Sequence, residues 1–276
     1  LCSISPNATS FICCLKACGS GRIAFKGKQA HAITSTWPIG TDVTSCSTLV
    51  NMYAKCGHFR EAQEMLDQLS VKDLVSWTML IAGYAENGHG EEALTCFGQM
   101  QQEGILPDVV SFICTLKACT IIESLGKGKK IHCQVKIDGL LEKEIGVGNT
   151  LVDMYAKCGA FVKAQEVFSE LPLQDMVSWN ILIAGYVQHG HIEEAVKFFH
   201  RMQLRALCPD IVTFLSILRA CGTIGTSQKG QLIHAQIHMI RDENLEKGIS
   251  VGNALLDMWL TLVVVCKEIF SLAMHW

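Results

Sequence analysis

The stretch VSWTMLIAGY, residues 75–84, returns almost unchanged as VSWNILIAGY at residues 177–186. The shift of 102 residues between these copies also relates MYAKCG at Met52–Gly57 to MYAKCG at Met154–Gly159. Because one spacing relates motifs along most of the chain, the sequence predicts a repeat array instead of a single globular core.

Each copy of the repeat carries two apolar stripes at helical spacing. The first stripe recurs at intervals of three and four residues and consists of Trp77, Leu80, Ile81 and Tyr84. Gly88 follows it, and the carboxylates of Glu91 and Glu92 favour the first turn of a second helix. That helix puts Ala93, Phe97 and Met100 on one face and ends before Gly104 and Pro107. Further glycine breaks, which divide the chain into similar hairpins, are Gly57, Gly159, Gly190 and Gly222.

The composition agrees with stacked hairpins and argues against a membrane-spanning protein. Of the 276 residues, 49% are hydrophobic and 18% are charged, as expected where neighbours cover each hairpin on both sides. The longest largely apolar run, Met258–Cys266, has nine residues, whereas a membrane-spanning helix needs about 20. The sequence therefore predicts no membrane association.

Many of the fourteen cysteines occur at equivalent positions of successive repeats. Cys18, Cys119 and Cys221 correspond to one another, and Cys56 corresponds to Cys158. This pattern is typical of small apolar core residues in a reducing compartment. Since no pair has the C-x-x-C spacing of a thiolate zinc site, neither a metal nor a cofactor is predicted.

Three motifs carry a family resemblance: SWNILIAGY at Ser178–Tyr186, GHIEEA at Gly190–Ala195 and PD at Pro209–Asp210. On these residues the chain resembles the plant pentatricopeptide repeat family, and its order of repeat lengths is similar to that of the PLS subgroup. The resemblance implies an all-α fold, a right-handed superhelical solenoid of helix-turn-helix repeats.

The resemblance also implies that the chain is a fragment divided into repeats of three lengths. Residues 1–7 would end a truncated repeat, and residues 249–276 would form a degenerate or truncated final short repeat. Between them, the long repeats are 8–42, 109–144 and 211–248, the short repeats are 43–73 and 145–175, and the standard repeats are 74–108 and 176–210.

For function, the family implies sequence-specific binding of single-stranded RNA, with one base read by each repeat. In this family the fifth and last residues of a repeat meet the Watson–Crick edge of the base. The pairs at these positions are Ser47 with Asp73, Thr78 with Asp108, Asn149 with Asp175, and Asn180 with Asp210. A hydroxyl with Asp resembles a guanine reader, and Asn with Asp resembles a uracil reader.

These residue types suit the implied role chemically. A hydroxyl or amide can donate and accept toward a base edge, and a carboxylate accepts from the ring N–H that guanine and uracil carry. Val75 and Val177, at the second repeat position, would flank the base planes in the family's mode. The ordinary alternative for the polar residues is a helix cap or a Pro-Asp turn.

The long repeats lack a polar pair and are predicted to read no base. Their fifth residues are Ile12, Ile113 and Leu215, and their last residues are Asp42, Glu144 and Gly248. With the family's parallel orientation, the predicted RNA site is therefore 5′-GGnUU-3′. Asn253, in the final repeat, would contact a pyrimidine that follows one further unread base.

The charge of the chain limits how it could hold RNA. A net charge of −3 and a pI near 6.4 are unlike those of proteins that bind mainly through phosphates. Lys127, Lys129 and Lys130 form a basic cluster that a solvated helix start explains equally well. Lys55 and Lys157 recur in phase and suit either a phosphate contact or an ordinary surface position.

No catalytic site is predicted. His191-Ile-Glu193 matches the H-x-E of the cytidine-deaminase-like domain that ends many members of this subgroup. However, it lies at a repeat turn, its counterpart is His89-Gly-Glu91, and no C-x-x-C follows. The chain is therefore expected to be an RNA address reader and not an enzyme. Catalysis, usually C-to-U editing, would come from a C-terminal extension or from an editing factor or deaminase in trans.

The resemblance implies a mitochondrial or chloroplast location, although the chain shows no targeting peptide of its own. A different interpretation is a tetratricopeptide-like scaffold whose groove binds a protein or peptide. Such a scaffold gives no reason for Asp at the end of four phased repeats. After Met258 the expected YAKCG is replaced by the apolar segment 259–265, which predicts exposed apolar surface and poor solubility.

Overall fold

The computed structural model describes residues 8–34, 43–69 and 72–224, and every regular element in these ranges is a helix. The chain divides into two compact units, Leu1–Thr150 and Leu151–Trp276. The first unit contains α1 (Ala8–Ser20), α2 (Ala24–Thr34), α3 (Val43–Lys55), α4 (Phe59–Asp67), α5 (Leu74–Glu86), α6 (Gly90–Gln102), α7 (Val109–Ile121), α8 (Leu125–Ile137) and α9 (Leu140–Lys143). Helix α10 (Ile145–Lys157) begins in the first unit and ends in the second, which contains α11 (Phe161–Glu170), α12 (Met176–Gln188), α13 (Ile192–Leu204) and α14 (Ile211–Ile224).

Four of the described helical hairpins turn at glycine, at Gly57, Gly88, Gly159 and Gly190. Between α5 and α6, Gly88 has a φ of 84°, a conformation that favours glycine because it has no Cβ. The equivalent turn between α12 and α13 contains Gly190, with a φ of 76°. The predicted repeat of two helices around a glycine break is therefore confirmed at these turns.

The predicted break at Gly222 is wrong, because α14 continues through this residue to Ile224. A single glycine inside a helix costs only about 1 kcal/mol relative to alanine, so it does not by itself end the helix. The corresponding turns after α1 and α7 contain Arg22 and Glu123, whose φ values are 50° and 51°. Gly225 corresponds to Glu123 in sequence and lies outside the described residues.

The apolar stripes form the core as predicted, except that Tyr84 is only partly buried. In α5, Trp77 is 1% exposed, and Leu80 and Ile81 are fully buried. The opposing residues of α6 are also buried and are Ala93, Phe97 and Met100. The ring centroid of Phe97 lies 5.9 Å from that of Phe112 in α7, so the core continues from one hairpin into the next.

The first helices of successive hairpins pack against each other. In the first unit, α3 contacts α1 and α5, and α5 contacts α7; in the second unit, α12 contacts α14. The contact between α3 and α5 is close at Gly83, where an added Cβ would lie 2.3 Å from the Cβ of Ala54. This packing brings the first turns of neighbouring first helices together.

The repeated cysteines are core residues to different degrees. Cys18 and Cys119 are buried, as predicted, whereas Cys56 and Cys158 are only partly buried. The side chain of Cys221 lies outside the described part of the chain. In α6, burial raises the pKa of the Cys96 thiol to about 12, with a further contribution from Glu92. This thiol therefore remains protonated near neutral pH.

None of the helices within residues 8–34, 43–69 and 72–224 has both the length and the apolar character needed to cross a bilayer. The altered final repeat predicted at 249–276, the end of the last long repeat and residues 1–7 lie outside the described residues.

Candidate nucleic-acid interface

Four aspartates, the last residues of the predicted short and standard repeats, each precede a first helix. Each carboxylate accepts a hydrogen bond from the backbone N–H three residues later, and such a bond satisfies one of the unpaired donors at a helix start. The bonds are Asp73 to Ser76 (2.9 Å), Asp108 to Ser111 (2.8 Å), Asp175 to Ser178 (2.9 Å) and Asp210 to Thr213 (2.9 Å). The aspartates are therefore helix caps, and capping fixes where each carboxylate lies.

The hydroxyl residues three positions after these aspartates were missed in the sequence. All four are fully buried: Ser76, Ser111, Ser178 and Thr213. Their signal is a D-x-V-S/T motif that occurs at 73–76, 108–111, 175–178 and 210–213. The motif is a helix start signal, and it also places a hydroxyl group beside each carboxylate.

Asn180 and Asp210, a predicted reading pair, are joined in one hydrogen-bond network. The amide Nδ2 of Asn180 donates to both carboxylate oxygens of Asp210, at 3.0 and 3.2 Å. The Thr213 hydroxyl lies 2.5 Å from Asn180 Oδ1 and 2.8 Å from Asp210 Oδ1, and its single proton is donated to one of them at a time. The network therefore fixes the orientation of the Asn180 amide.

Ser47 and Asp73 are connected through a third residue. Ser47 Oγ lies 2.7 Å from Ser76 Oγ, and the Ser76 hydroxyl donates to Asp73 Oδ1 over 2.6 Å. Ser47, Asp73 and Val75 also line one cavity, together with Lys16 and Thr44. The structure thus brings the predicted pair and a predicted flanking residue to the same cavity.

Thr78 and Asp108 are not joined in this way. The Thr78 hydroxyl is buried and has no hydrogen-bond partner among the described residues. Asp108 instead forms a reciprocal cap, in which its own N–H donates to Ser111 Oγ over 2.8 Å. A buried hydroxyl without a partner costs about 1–3 kcal/mol, and a ligand would satisfy this one only after a rearrangement that exposes it.

The fourth predicted pair is divided between the two units. Asn149 is a buried residue of α10 in the first unit. Asp175 caps α12 in the second unit. Asn253 lies outside the described residues.

Valines at the second position of four predicted repeats share an unusual exposure. These side chains are between 49% and 55% exposed, although each lies in the first turn of a helix that is otherwise packed in the core; they are Val75, Val110, Val177 and Val212. Within each unit, two of these valines lie close in sequence to helix-capping carboxylates, and each offers an apolar group suited to the face of a planar ring. The group includes the two residues expected to flank bases, Val75 and Val177.

The long repeats present no polar pair in the described residues. Ile12, Ile113 and Leu215 are partly buried, and Glu144 is exposed. Asp42 and Gly248 lie outside the described part of the chain. The first helices of these repeats therefore offer apolar groups at the position where the other repeats offer a hydroxyl or an amide.

The H-x-E sequence at residues 191–193 lies at the start of helix α13. His191 directly precedes α13, and its ring lies edge-on to Phe161, with centroids 5.1 Å apart. Glu193 belongs to the first turn of α13. In the described ranges, no group of three or more His, Cys, Asp or Glu side chains is placed to hold a metal ion.

Solved structures of other proteins have a similar fold. The pentatricopeptide repeat protein PPR10, in complex with an 18-nt psaJ RNA element, superimposes with a TM-score of 0.69 at 20% identity, over 92% of this chain and 36% of that one. Another structure, of PPR10 from maize, superimposes with a TM-score of 0.51 at 18% identity, over 97% of this chain and 45% of that one. The hairpins described above therefore have the fold of a pentatricopeptide repeat solenoid.

Curated relatives agree with this fold. Three pentatricopeptide repeat-containing proteins of Arabidopsis thaliana are similar to this chain, with identities of 34% over 253 residues, 31% over 270 residues and 34% over 251 residues. The second of these proteins is named chloroplastic, and the third is named mitochondrial. The matches cover 92%, 98% and 91% of this chain but only 40%, 32% and 24% of the relatives. This chain thus spans less than half of their length.

Family models match the repeats directly. The PPR repeat family model matches residues 72–120 and 174–223, and the PPR repeat model matches residues 44–74 and 149–174. Together these matches include more than half of the sequence and all eight residues of the four predicted reading pairs. The chain belongs to the pentatricopeptide repeat family.

Proposed function

We propose that this chain binds single-stranded RNA sequence-specifically and reads one base with each short or standard repeat. The observation that carries the proposal is the Asn180–Asp210–Thr213 network, which orients two base-reading groups beside exposed Val177 and Val212. Family membership supports it, as does the RNA bound in the solved structure of PPR10.

We further propose the division into long, short and standard repeats, and with it the PLS subgroup. Support comes from the first helices, each of which begins at the first residue of a proposed repeat. These residues are Ala8, Val43, Leu74, Val109, Ile145, Met176 and Ile211. In this register the exposed valines, the polar pairs and the capping aspartates all recur at fixed positions.

The carboxylates that cap the first helices explain which bases the repeats accept. Guanine and uracil present a ring N–H at the centre of the Watson–Crick edge, and a carboxylate accepts from it. Adenine and cytosine present a lone pair there, which a carboxylate repels. At Asp210, the network leaves the second N–H of the Asn180 amide available for a base carbonyl.

Side-chain length separates guanine from uracil. Ser47 and Thr78 are shorter than asparagine and leave space for the larger purine ring, whereas the longer amides of Asn149 and Asn180 reach a pyrimidine. The proposed site is therefore 5′-GGnUU-3′, where the unread base faces the long repeat 109–144.

A direct binding measurement tests the proposal. Fluorescence anisotropy with labelled single-stranded RNA that contains GGAUU should show tighter binding than with AACCC in the same flanks, because each mismatched base costs about 1–3 kcal/mol. Equal affinity for the two RNAs would contradict base reading. Binding to neither would favour a helical scaffold for a peptide partner.

Thr213 is expected to position the uracil reader. Thr213→Val removes the hydroxyl, and with it the bond that the Asp210 N–H donates to it, but keeps the shape and the bond from the Thr213 N–H to the Asp210 carboxylate. The Asn180 amide therefore loses one orienting partner. Since one such hydrogen bond is worth about 1 kcal/mol, we expect the preference for uracil over cytosine at the last base to fall several-fold. Thr213→Ser should restore it.

Ser111 provides the matched control for Thr213. Its hydroxyl bonds only to the backbone of Asp108 in the described residues, so Ser111→Ala should lower the melting temperature and leave the preference for guanine intact. A Thr213→Val protein whose affinity falls equally for all four bases would show that Thr213 is only structural.

The biological role we propose is recognition of sites in organellar transcripts. The relatives named chloroplastic or mitochondrial support an organellar location. The chain would supply the address for RNA processing or modification, with C-to-U editing as the favoured case. We assign it no catalytic residues, so a deaminase or editing factor in trans, or a C-terminal extension, would supply catalysis. Loss of editing at a GGnUU-linked cytidine in plants lacking the gene would test this role.

A further inference from the structure

Basic residues on the first helices are confined to two positions. In the described residues, the first helices of the seven hairpins carry five such residues, namely Lys16, Lys55, Lys117, Lys157 and Arg219. Lys55 and Lys157 are at the thirteenth position of short repeats. The other three are at the ninth position of the long repeats, which read no base.

The ninth-position cations of the long repeats are available for a ligand. Lys16, Lys117 and Arg219 are exposed, and none has a carboxylate partner among the residues that the structure describes. Lys157, in contrast, forms an ion pair with Asp153 over 2.9 Å. The three long repeats therefore place a cation without a described ion pair at the same repeat position.

The ninth position lies on the base-reading face of the helix. Residues spaced by three and four positions share one helix face, so Lys117 follows Val110 and Ile113 along α7. The ninth residue lies about 6 Å further along the helix axis than the fifth, at 1.5 Å per residue. In the first unit, Lys16 lines the same cavity as Ser47 and Asp73.

We propose that the long repeats bind the phosphate groups of the RNA backbone through Lys16, Lys117 and Arg219. The inference rests on the proposed RNA-binding function and assigns a role to the repeats that lack a reading pair. Every nucleotide carries a phosphate whether or not its base is read, so a repeat with an apolar fifth residue can still contribute affinity. The standard repeats show the complementary arrangement, since α5 and α12 contain a reader and no basic residue.

The salt dependence of RNA binding tests this assignment. Each phosphate contact to a single strand contributes about −0.7 to the slope of log K against log salt concentration. We therefore expect the full chain with Lys16→Gln, Lys117→Gln and Arg219→Gln to show a slope smaller in magnitude by about 2 than the wild type, with GGAUU RNA. The preference for GGAUU over AACCC should be unchanged, and Lys117→Gln alone should give about one third of the effect.

A second triple variant controls for net charge. Arg60→Gln, Lys163→Gln and Lys197→Gln also remove three positive charges, but these residues lie on second helices and pair with glutamates one turn away. Its slope should stay near that of the wild type. Equal changes in the two triple variants, or no change in the first, would overturn the assignment.

The outcomes also separate this inference from the proposed function. A wild-type chain that binds RNA without preferring GGAUU, but with the expected slope difference, would keep the phosphate contacts and reject base reading. A selective wild-type chain whose slope does not depend on Lys16, Lys117 and Arg219 would keep base reading and reject the phosphate contacts.

Discussion

Replacing Asn180 with Thr is expected to change the preferred last base of the bound RNA from uracil to guanine. The substitution reproduces, at the second standard repeat, the Thr78 and Asp108 arrangement of the first. It removes the amide that donates to both oxygens of Asp210 and leaves space for a purine. Because a well-placed pair of base contacts is worth about 1–3 kcal/mol of discrimination, the preference should shift about tenfold or more in favour of guanine. Dissociation constants for four RNAs that differ only at the last base would measure it.

The reciprocal substitution, Thr78→Asn, is the matched control. It should change the preference at the second base of the site from guanine to uracil and leave the last base unaffected. If both variants lose affinity for all four bases equally, or if neither changes its preference, then the fifth position does not read the base. Two shifts in opposite directions at two separate nucleotides would be difficult to explain by altered stability.

Gly83→Ala is expected to destabilise the first unit substantially. The added Cβ would lie 2.3 Å from the Cβ of Ala54 and 3.0 Å from its backbone carbonyl carbon. Since backbone atoms cannot rotate away as a side chain can, α3 and α5 must separate, and overpacking of this kind typically costs about 1–3 kcal/mol. Thermal unfolding followed by circular dichroism should show a clear fall in the melting temperature.

Gly98→Ala offers a control within the same hairpin. Gly98 lies inside α6, and an added Cβ would have no atom within 4 Å. Alanine is more favourable than glycine in a helix interior by about 0.5–1 kcal/mol, so this variant should be stabilised. A Gly83→Ala protein as stable as Gly98→Ala would contradict the close contact between α3 and α5.

Helical periodicity was sufficient to predict the hairpins but not all of their ends. The stripe that contains Trp77 and Leu80 specifies a buried face because helical spacing aligns these side chains. Gly222 was misassigned because glycine is tolerated inside a helix as well as at its end. The non-glycine turn at Glu123 has no comparable signal in the sequence.

The sequence indicated the residues of the candidate site but not the hydrogen bonds that connect some of them. The repeat register singled out Asn180 and Asp210, which the structure joins directly. It did not indicate Thr213 or Ser76, because their role depends on the distance between a capping carboxylate and a buried hydroxyl. Thr78 and Asp108 occupy the same repeat positions as Asn180 and Asp210, but no described hydrogen bond joins them. Sequence position alone therefore does not determine whether the two residues of a pair are linked.

Selection of RNA from a random single-stranded pool tests the central claim most directly. The purified chain, incubated with the pool at near-physiological salt, should enrich GGnUU, with no preference at the third base. That result would support the repeat register, the reading pairs and the RNA-binding function together. Retention of RNA without any enriched motif, lost steeply as salt increases, would contradict base reading and leave only attraction to phosphates.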